Sequence, residues 1–271
     1  MPPRATSPPG LRFDRSYAGG EIGAERWLDE SGRAFVLKRG RSAARAAAVT
    51  ARLRELGYPA PRYVRVEADW ALQEELPGEP LEPWHPLPEA IAAQLLELHE
   101  LHAAALAPAG IPAWGGSWQR VVMSSVLSGA RSYLRLATLR DHSDRSRELL
   151  NRCQETARRF GDRVPAVDAI VHWDFTPDNV LVRDGRVTGV IDWEGVRPGD
   201  PRFDLVTLAF YAPGTPQLEA ALGELDPGVR AVYQAHLCVR QAEWSLRRHD
   251  EATGERMLAY ALEVASGFPA A

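Results

Sequence analysis

The densest polar cluster in the chain reads Val171-His172-Trp173-Asp174-Phe175-Thr176-Pro177-Asp178-Asn179-Val180, and is followed by Val190-Ile191-Asp192-Trp193-Glu194. Apolar β-forming residues run directly into His, Asp and Asn. A carboxylate at the mouth of a buried strand is costly unless it is paired or bound to a cation. Asp192 follows the apolar pair Val190-Ile191 and is the best candidate for a hard-cation ligand. Asn179, thirteen residues earlier, offers a neutral carbonyl oxygen, and a hairpin between them can bring the two together. Mg²⁺ takes one or two carboxylates, waters and phosphate oxygens, which suits an Asp with an Asn. Asp174 is free to approach a substrate hydroxyl as a base.

A second signal comes from the basic residues. Of 32, 31 are Arg and one is Lys, at position 38. In a chain where Arg replaces Lys wherever it serves, the one survivor marks a place where a compact point charge is needed instead of a planar fork.

These residues need elements to hold them. Lys38 ends Phe35-Val-Leu-Lys38, and the glycine-punctuated alternation before it predicts strand, turn, strand, hairpin, strand. An Ala-rich helix is expected over 42–56, with Ser42 as its cap and Gly57-Tyr-Pro-Ala-Pro61 as its stop. Two strands follow, at 62–67 and 69–76. Residues 11–76 therefore read as a small antiparallel sheet with one helix, and a Pro-rich linker over 77–88 ends it. Beyond it helices dominate: Ile91, Leu95, Leu98 and His102 share one face, and 117–140, 146–160, the stretch around 229–244 and 251–266 are helical. The exception is a small hairpin around the Asp184-Gly185 turn, expected within the helical part, 89–271.

Composition excludes several classes. The 271 residues are 45% hydrophobic and 25% charged, ordinary for a globular chain. No apolar stretch is long enough to span a bilayer, so no membrane partner is expected. Residues 1–10 carry no apolar run after their charge and read as a disordered tail, not an export signal. Two cysteines, Cys153 and Cys238, cannot build a disulfide framework, and a cytoplasmic location is expected. The net charge of -4 argues against nucleic acid as a partner.

The pattern His172-x-Asp174-x4-Asn179 followed by Ile191-Asp192 resembles the catalytic and metal loops of the aminoglycoside phosphotransferase family, small-molecule kinases related to the protein kinases. Asp200-Pro-Arg-Phe-Asp204-Leu resembles the Asp-Pro-x-x-Asp-Leu of that family. Ser16-Tyr-Ala-Gly19-Gly20 resembles its phosphate-covering loop, Phe35 to Lys38 its ATP-lysine strand, Leu72 to Leu81 its hinge, and Leu101-His102 a recurrent pair in the next helix.

The resemblance implies an α+β, two-lobed, protein-kinase-like fold with a five-stranded antiparallel sheet in the first lobe. It implies ATP (or GTP) and Mg²⁺ as cofactors. Gly19, Gly20, Lys38, Glu74 and Leu76 would bind nucleotide, Asn179 and Asp192 would hold the metal, and Asp174 would be the catalytic base. His172 would be structural, and Asp204 would brace the loop. The implied activity is phosphotransfer to an alcohol group of a small molecule, an antibiotic or related aminated compound, in a monomer or homodimer. A metabolic kinase of the choline, homoserine or sugar type and a nucleotide-binding pseudokinase are the alternatives.

One feature departs from the pattern. Kinase-like folds pair the ATP lysine with a Glu in the first helix, yet Glu55 is the only carboxylate of this helix and lies at its far end. Either the helix is placed differently, or another group such as Glu21 or Glu25 orients Lys38, or the ATP site is degenerate, as in a non-catalytic relative.

Overall fold

A computed structural model describes residues 8–17, 23–40, 42–105, 117–129 and 134–269. Contacts divide the chain into two units: Met1–Leu81 with Asp178–Val196, and Glu82–Pro177 with Arg197–Ala271. The expected loop glycines Gly19 and Gly20, like Glu21 and residues 1–7 of the expected tail, lie outside the described residues.

The first unit is built on an antiparallel sheet of β1 (Arg12–Ser16), β2 (Ala24–Leu28), β3 (Ala34–Arg39), β4 (Tyr63–Val66) and β5 (Trp70–Glu74), in the order β1-β2-β3-β5-β4. This is the expected five-stranded sheet. Alternation in β2, β3 and β5 buries Trp27, Phe35, Leu37, Trp70 and Leu72 together as one apolar cluster. Lys38 therefore sits beside a fixed apolar strand, opposite Ala24 on one side and Ala71 on the other.

Helix α1 (Ala43–Glu55) buries Ala43, Ala46, Val49 and Leu53. Ser42 does not cap it with its side chain. Its backbone is already helical (φ -85°, ψ -5°), whereas a capping oxygen needs an extended residue to aim it at the first amides. Its carbonyl instead accepts from Ala46 N–H at 3.2 Å.

The hairpin of β8 (Val180–Arg183) and β9 (Arg186–Val190) packs with this first unit, whereas the sequence placed it among the helices. Three contacts explain the difference. The short strand β6 (Glu79–Pro80) pairs with β8, Val190 N–H donates to Pro59 O at 2.8 Å, and Trp193 packs edge-on against Tyr58 at 5.6 Å. Asp184 and Gly185, both at positive φ, form the expected turn.

In the second unit, α2 (Glu89–Ala104) precedes α3 (Trp118–Leu127), α4 (Leu136–His142) and α5 (Asp144–Phe160). The stretch expected as one helix over 117–140 is interrupted. Gly129 at φ 67° takes the left-handed conformation that ends helices, and a Cβ there would sit 3.0 Å from Leu134 O. Strand β7 (Ala169–Val171) pairs antiparallel with β10 (Arg197–Gly199), followed by α6 (Arg202–Tyr211), α7 (Pro216–Gly223), α8 (Pro227–Arg248) and α9 (Glu251–Ser266). The core against β7 and β10 is aromatic. Trp173 stacks on Phe203 at 5.0 Å, and Trp118 meets both rings edge-on. Gly199 is required here, because an added Cβ would come within 2.2 Å of the Trp118 ring. Among the described residues no helix is long and apolar enough to cross a membrane.

Candidate active site

Lys38 Nζ, 18% exposed, lies 2.8 Å from Asp192 Oδ1 and 2.9 Å from Glu194 Oε2. Of the two expected partners of Lys38, Glu21 lies outside the described residues and Glu25 is engaged elsewhere. Glu25 accepts instead from Trp27 Nε1 at 3.0 Å and pairs with Arg39 at 3.3 Å. Glu55 pairs with Arg52 at 2.8 Å, out in solvent. Burial pulls the Lys38 ammonium down, but the Glu194 and Asp192 carboxylates outweigh it and the net shift is upward. Burial pushes Glu194 up; Lys38 draws it back and the Asp192 carboxylate adds to the rise.

Asp192 sits in the left-handed region (φ 66°, ψ 49°), which a short polar side chain tolerates, and its side chain is 48% exposed. Asn179, 8% exposed, ends the turn Pro177–Asn179, and its backbone carbonyl accepts from Ile191 N–H at 2.9 Å. That bond brings the two segments side by side, as the hairpin reading required. A carboxylate still open to solvent, on a segment whose backbone is bonded to that of Asn179, suits a hard divalent cation whose remaining ligands come from a phosphate. No group of three His, Cys, Asp or Glu side chains among the described residues could hold a metal by itself.

At the expected hinge, Glu74 pairs through its side chain with Arg33 and Arg62. The Glu74 and Glu75 amides are held by Arg62 O at 2.9 Å and Ala34 O at 3.2 Å. Leu76 packs its side chain over Gly189 in β9, where an added Cβ would come within 2.8 Å of Leu76 Cδ1.

The second unit carries Asp174, on the loop after β7. Asp204 organises this loop, as expected. Its Oδ2 accepts from His172 N–H at 2.7 Å and its Oδ1 from Trp173 N–H at 3.0 Å, in full burial. His102 Nε2 lies 3.3 Å from the same carboxylate. Burial pushes Asp204 up to about 6 and His102 down to about 3. His172, fully buried, accepts through its Nδ1 from Asp174 N–H at 3.3 Å, in line with the structural role expected of it. Trp173 is held at φ 78°, an unusual conformation for a bulky residue. It is fixed there by Phe203 and by Arg197, whose guanidinium lies 3.6 Å above its ring.

Asp174 itself is one-third exposed and is paired with Arg240 of α8, which also donates to Trp173 O at 3.2 Å. Asp200 is held in a buried network. It accepts from Arg202 N–H at 3.1 Å and from Tyr233 OH at 2.6 Å, and Trp118 Nε1 donates in turn to that hydroxyl at 3.0 Å.

Arg240 and Glu194 are the partners of candidate site residues that the sequence did not reveal. Glu194 had a signal, as a carboxylate two residues after the candidate metal ligand Asp192. Arg240 had none, because 66 residues separate it from Asp174.

The solitude of Lys38 now has a geometry. Lys38→Arg keeps the charge but puts a planar fork between two carboxylates that both bind one Nζ. We expect kcat/KM for nucleotide to fall about tenfold or more, or ~1.4 kcal/mol of transition-state stabilisation. An unimpaired variant would show the lone Lys to be accidental.

Comparison with known proteins gives a consistent result. The chain is 31% identical over 106 residues to hygromycin-B 4-O-kinase of Escherichia coli, a match covering 39% of this chain and about a quarter (25%) of that relative. It resembles a thermostable variant of aminoglycoside phosphotransferase APH(4)-Ia, solved as a ternary complex with ADP and hygromycin B, with TM-score 0.73 and 19% identity. That alignment covers 96% of this chain and 95% of the other. Macrolide 2'-phosphotransferase MphH from Brachybacterium faecium aligns with TM-score 0.55 and 22% identity over 93% of this chain and 91% of its own. At these identities the two structures show a shared fold, that of the kinase-like phosphotransferases. The model of the phosphotransferase enzyme family (APH) matches residues 15–245, most of the chain and every motif from the Lys38 strand to Asp204, so the chain belongs to that family.

Proposed function

We propose that this protein transfers the terminal phosphoryl group of ATP to a hydroxyl of a small antibiotic, inactivating it. The observation that carries the reading is Lys38 held at 2.8 Å by Asp192, on the loop where Ile191 N–H bonds Asn179 O. It supports a site in which Lys38 would bind phosphate oxygens next to a metal held by Asp192 and Asn179.

Magnesium-ATP, when bound, supplies the transferable group and the positive charge that its phosphate oxygens need. The rest falls to the chain. Asp192 and Asn179 would hold the metal, Asp192 more tightly because it carries a full charge. Lys38 would bind phosphate oxygens. Gly19 and Gly20 would cover the phosphates, and Glu74 to Leu76 would receive the adenine, with Leu76 as an apolar cover. Asp174 would orient the acceptor hydroxyl and take its proton, while Arg240 holds that carboxylate in place.

The antibiotic class is supported by the relatives, which include a hygromycin-B kinase and a macrolide phosphotransferase. The charge of the acceptor is limited by the C-terminal helices. Five of their carboxylates already have structural work: Glu243 pairs with Arg247, Glu219 with Arg230 and Glu255 with His142, while Asp226 and Asp250 cap α8 and α9. A polycation would want several convergent free carboxylates. The acceptor is therefore neutral or carries one or two positive charges.

A radiolabelled-phosphate transfer screen over antibiotics and metabolites tests the reading. A labelled antibiotic supports it. A labelled choline, homoserine or sugar would make the protein a metabolic kinase, and nucleotide binding without transfer would make it a pseudokinase. For the true acceptor, KM should change little between low and physiological salt. A steep rise would reveal several exposed ion pairs, which salt screens beyond ~8 Å, and would overturn the charge limit. A Mg²⁺-independent affinity for ATP would remove the metal assignment.

A further inference from the structure

We propose that Glu194 is the positioning residue for Lys38, filling the place that a carboxylate on α1 would otherwise take. The proposal rests on the phosphotransferase reading for its role in catalysis, and on geometry alone for the pairing.

Helix α1 carries no acidic residue in its first turn, and its one carboxylate, Glu55, is 66% exposed and held by Arg52. A lysine as enclosed as Lys38 nonetheless needs a fixed counter-charge. Asp192 provides one, but a carboxylate that binds a divalent cation has less charge to offer an ammonium. Glu194 remains. Its Oε2 lies 2.9 Å from Lys38 Nζ, and its other oxygen, Oε1, accepts from Tyr63 OH at 3.2 Å. Its backbone carbonyl accepts from Arg45 Nη2 at 3.1 Å. The preceding Trp193 is fully buried, with Nε1 donating to Val190 O at 2.8 Å. Glu194 is thus tied down at its carboxylate, its backbone and its neighbour, and is only 14% exposed.

This anchoring separates the roles of the two carboxylates. Asp192, half exposed, stays available to the metal. Glu194, enclosed, keeps Lys38 in one rotamer as the metal comes and goes. The loop that carries the metal ligand thereby also sets the phosphate-binding lysine, and α1 contributes a guanidinium to that loop in place of a carboxylate to the lysine.

Lys38 is the chain's one lysine, so protein labelled with [ζ-15N]lysine gives a single side-chain ammonium signal. In ligand-free protein, Glu194→Gln should shift and broaden that signal, while Glu55→Gln leaves it in place. In nucleotide kinetics Glu194→Gln should lower kcat/KM about 10- to 100-fold, and Glu194→Asp, which keeps the charge at shorter reach, should fall between it and the wild type.

The decisive measurement is the double mutant. If Glu194 acts through Lys38, Lys38→Ala with Glu194→Gln is no slower than Lys38→Ala alone. Additive losses, or an unmoved ammonium signal in Glu194→Gln, would overturn the proposal. Should Glu194→Gln fail to fold, Tyr63→Phe removes one of the bonds that aim the carboxylate and should displace the signal in the same direction by less; no displacement there overturns the proposal as well. Failure of the phosphotransferase reading is seen separately, in a wild type that binds no magnesium-ATP while its ammonium signal still responds to Glu194→Gln.

Discussion

Asp174→Asn should fold as the wild type does, bind nucleotide as the wild type does, and lose between about 10² and 10⁴ of turnover. The range is that of a lost general base. Folding is retained because the loop does not depend on the Asp174 carboxylate. Its backbone is gripped by Asp204, through the amides of His172 and Trp173, and by the stacking of Trp173 on Phe203. Asparagine keeps an oxygen for Arg240 to bind, so the partner guanidinium is not left without an acceptor. What disappears is the charge and the ability to take a proton. Single-turnover phosphate transfer at saturating ATP isolates this step, with the ATP dissociation constant measured on the same variant. More than about a tenth of wild-type turnover would count against Asp174 as the base. Normal transfer chemistry with weakened ATP binding would reassign it to the nucleotide.

The candidate site residues were legible because the chain writes them in short segments. His172, Asp174, Asn179 and Asp192 fall within 21 positions, and their spacing carries both order and approximate geometry. Lys38 was legible for a different reason, its rarity, which needs no neighbour to be seen. The sheet was legible because strand alternation and glycine turns act locally.

What failed to show was long-range pairing. Arg240 reaches Asp174 from a helix 66 residues later, in a chain with 31 arginines to choose from. The partner of Lys38 was sought among nearby carboxylates, Glu21 and Glu25, because sequence distance is the only distance a sequence has. Glu194, 156 residues away, holds it. The hairpin was placed among helices because they surround it in the chain; its pairing with β6 and its bond to Pro59 O come from tertiary contacts that no local pattern encodes.

Acidification should destabilise this protein well before its surface carboxylates titrate. Three histidines in the second unit are buried with depressed pKa values. Burial takes His102 and His236 down to about 3, and His99 to about 4. The neighbouring His102 adds to the fall at His99, and Arg240 and Arg197 add to it at His236. A group held below its unfolded value of about 6.5 contributes stability that is present above pH 6.5 and is lost as pH falls toward the folded value. Asp204 works in the opposite direction. Burial holds it near 6, above the usual carboxylate range, so its ionisation costs stability as pH rises from about 4 to 6. One carboxylate displaced by about two units does not offset three histidines each displaced by more. At about 1.4 kcal/mol per unit, one such histidine loses about 1.5 units between pH 6.5 and pH 5, or ~2 kcal/mol, a sizeable share of a total of about 5–15. The second unit should therefore unfold at a lower urea concentration at pH 5 than at pH 7.5, with a steep change between. His236→Phe keeps a ring against Trp173 and Phe203, at 4.9 and 5.4 Å in the wild type, and removes one titrating site. It should reduce the difference between the two pH values even if it lowers stability at both. Equal urea midpoints at pH 7.5 and pH 5 in the wild type would mean that these rings carry their protons in the folded state. Their burial beside Asp204 and the arginines would then have to be balanced by contacts quite different from those seen here.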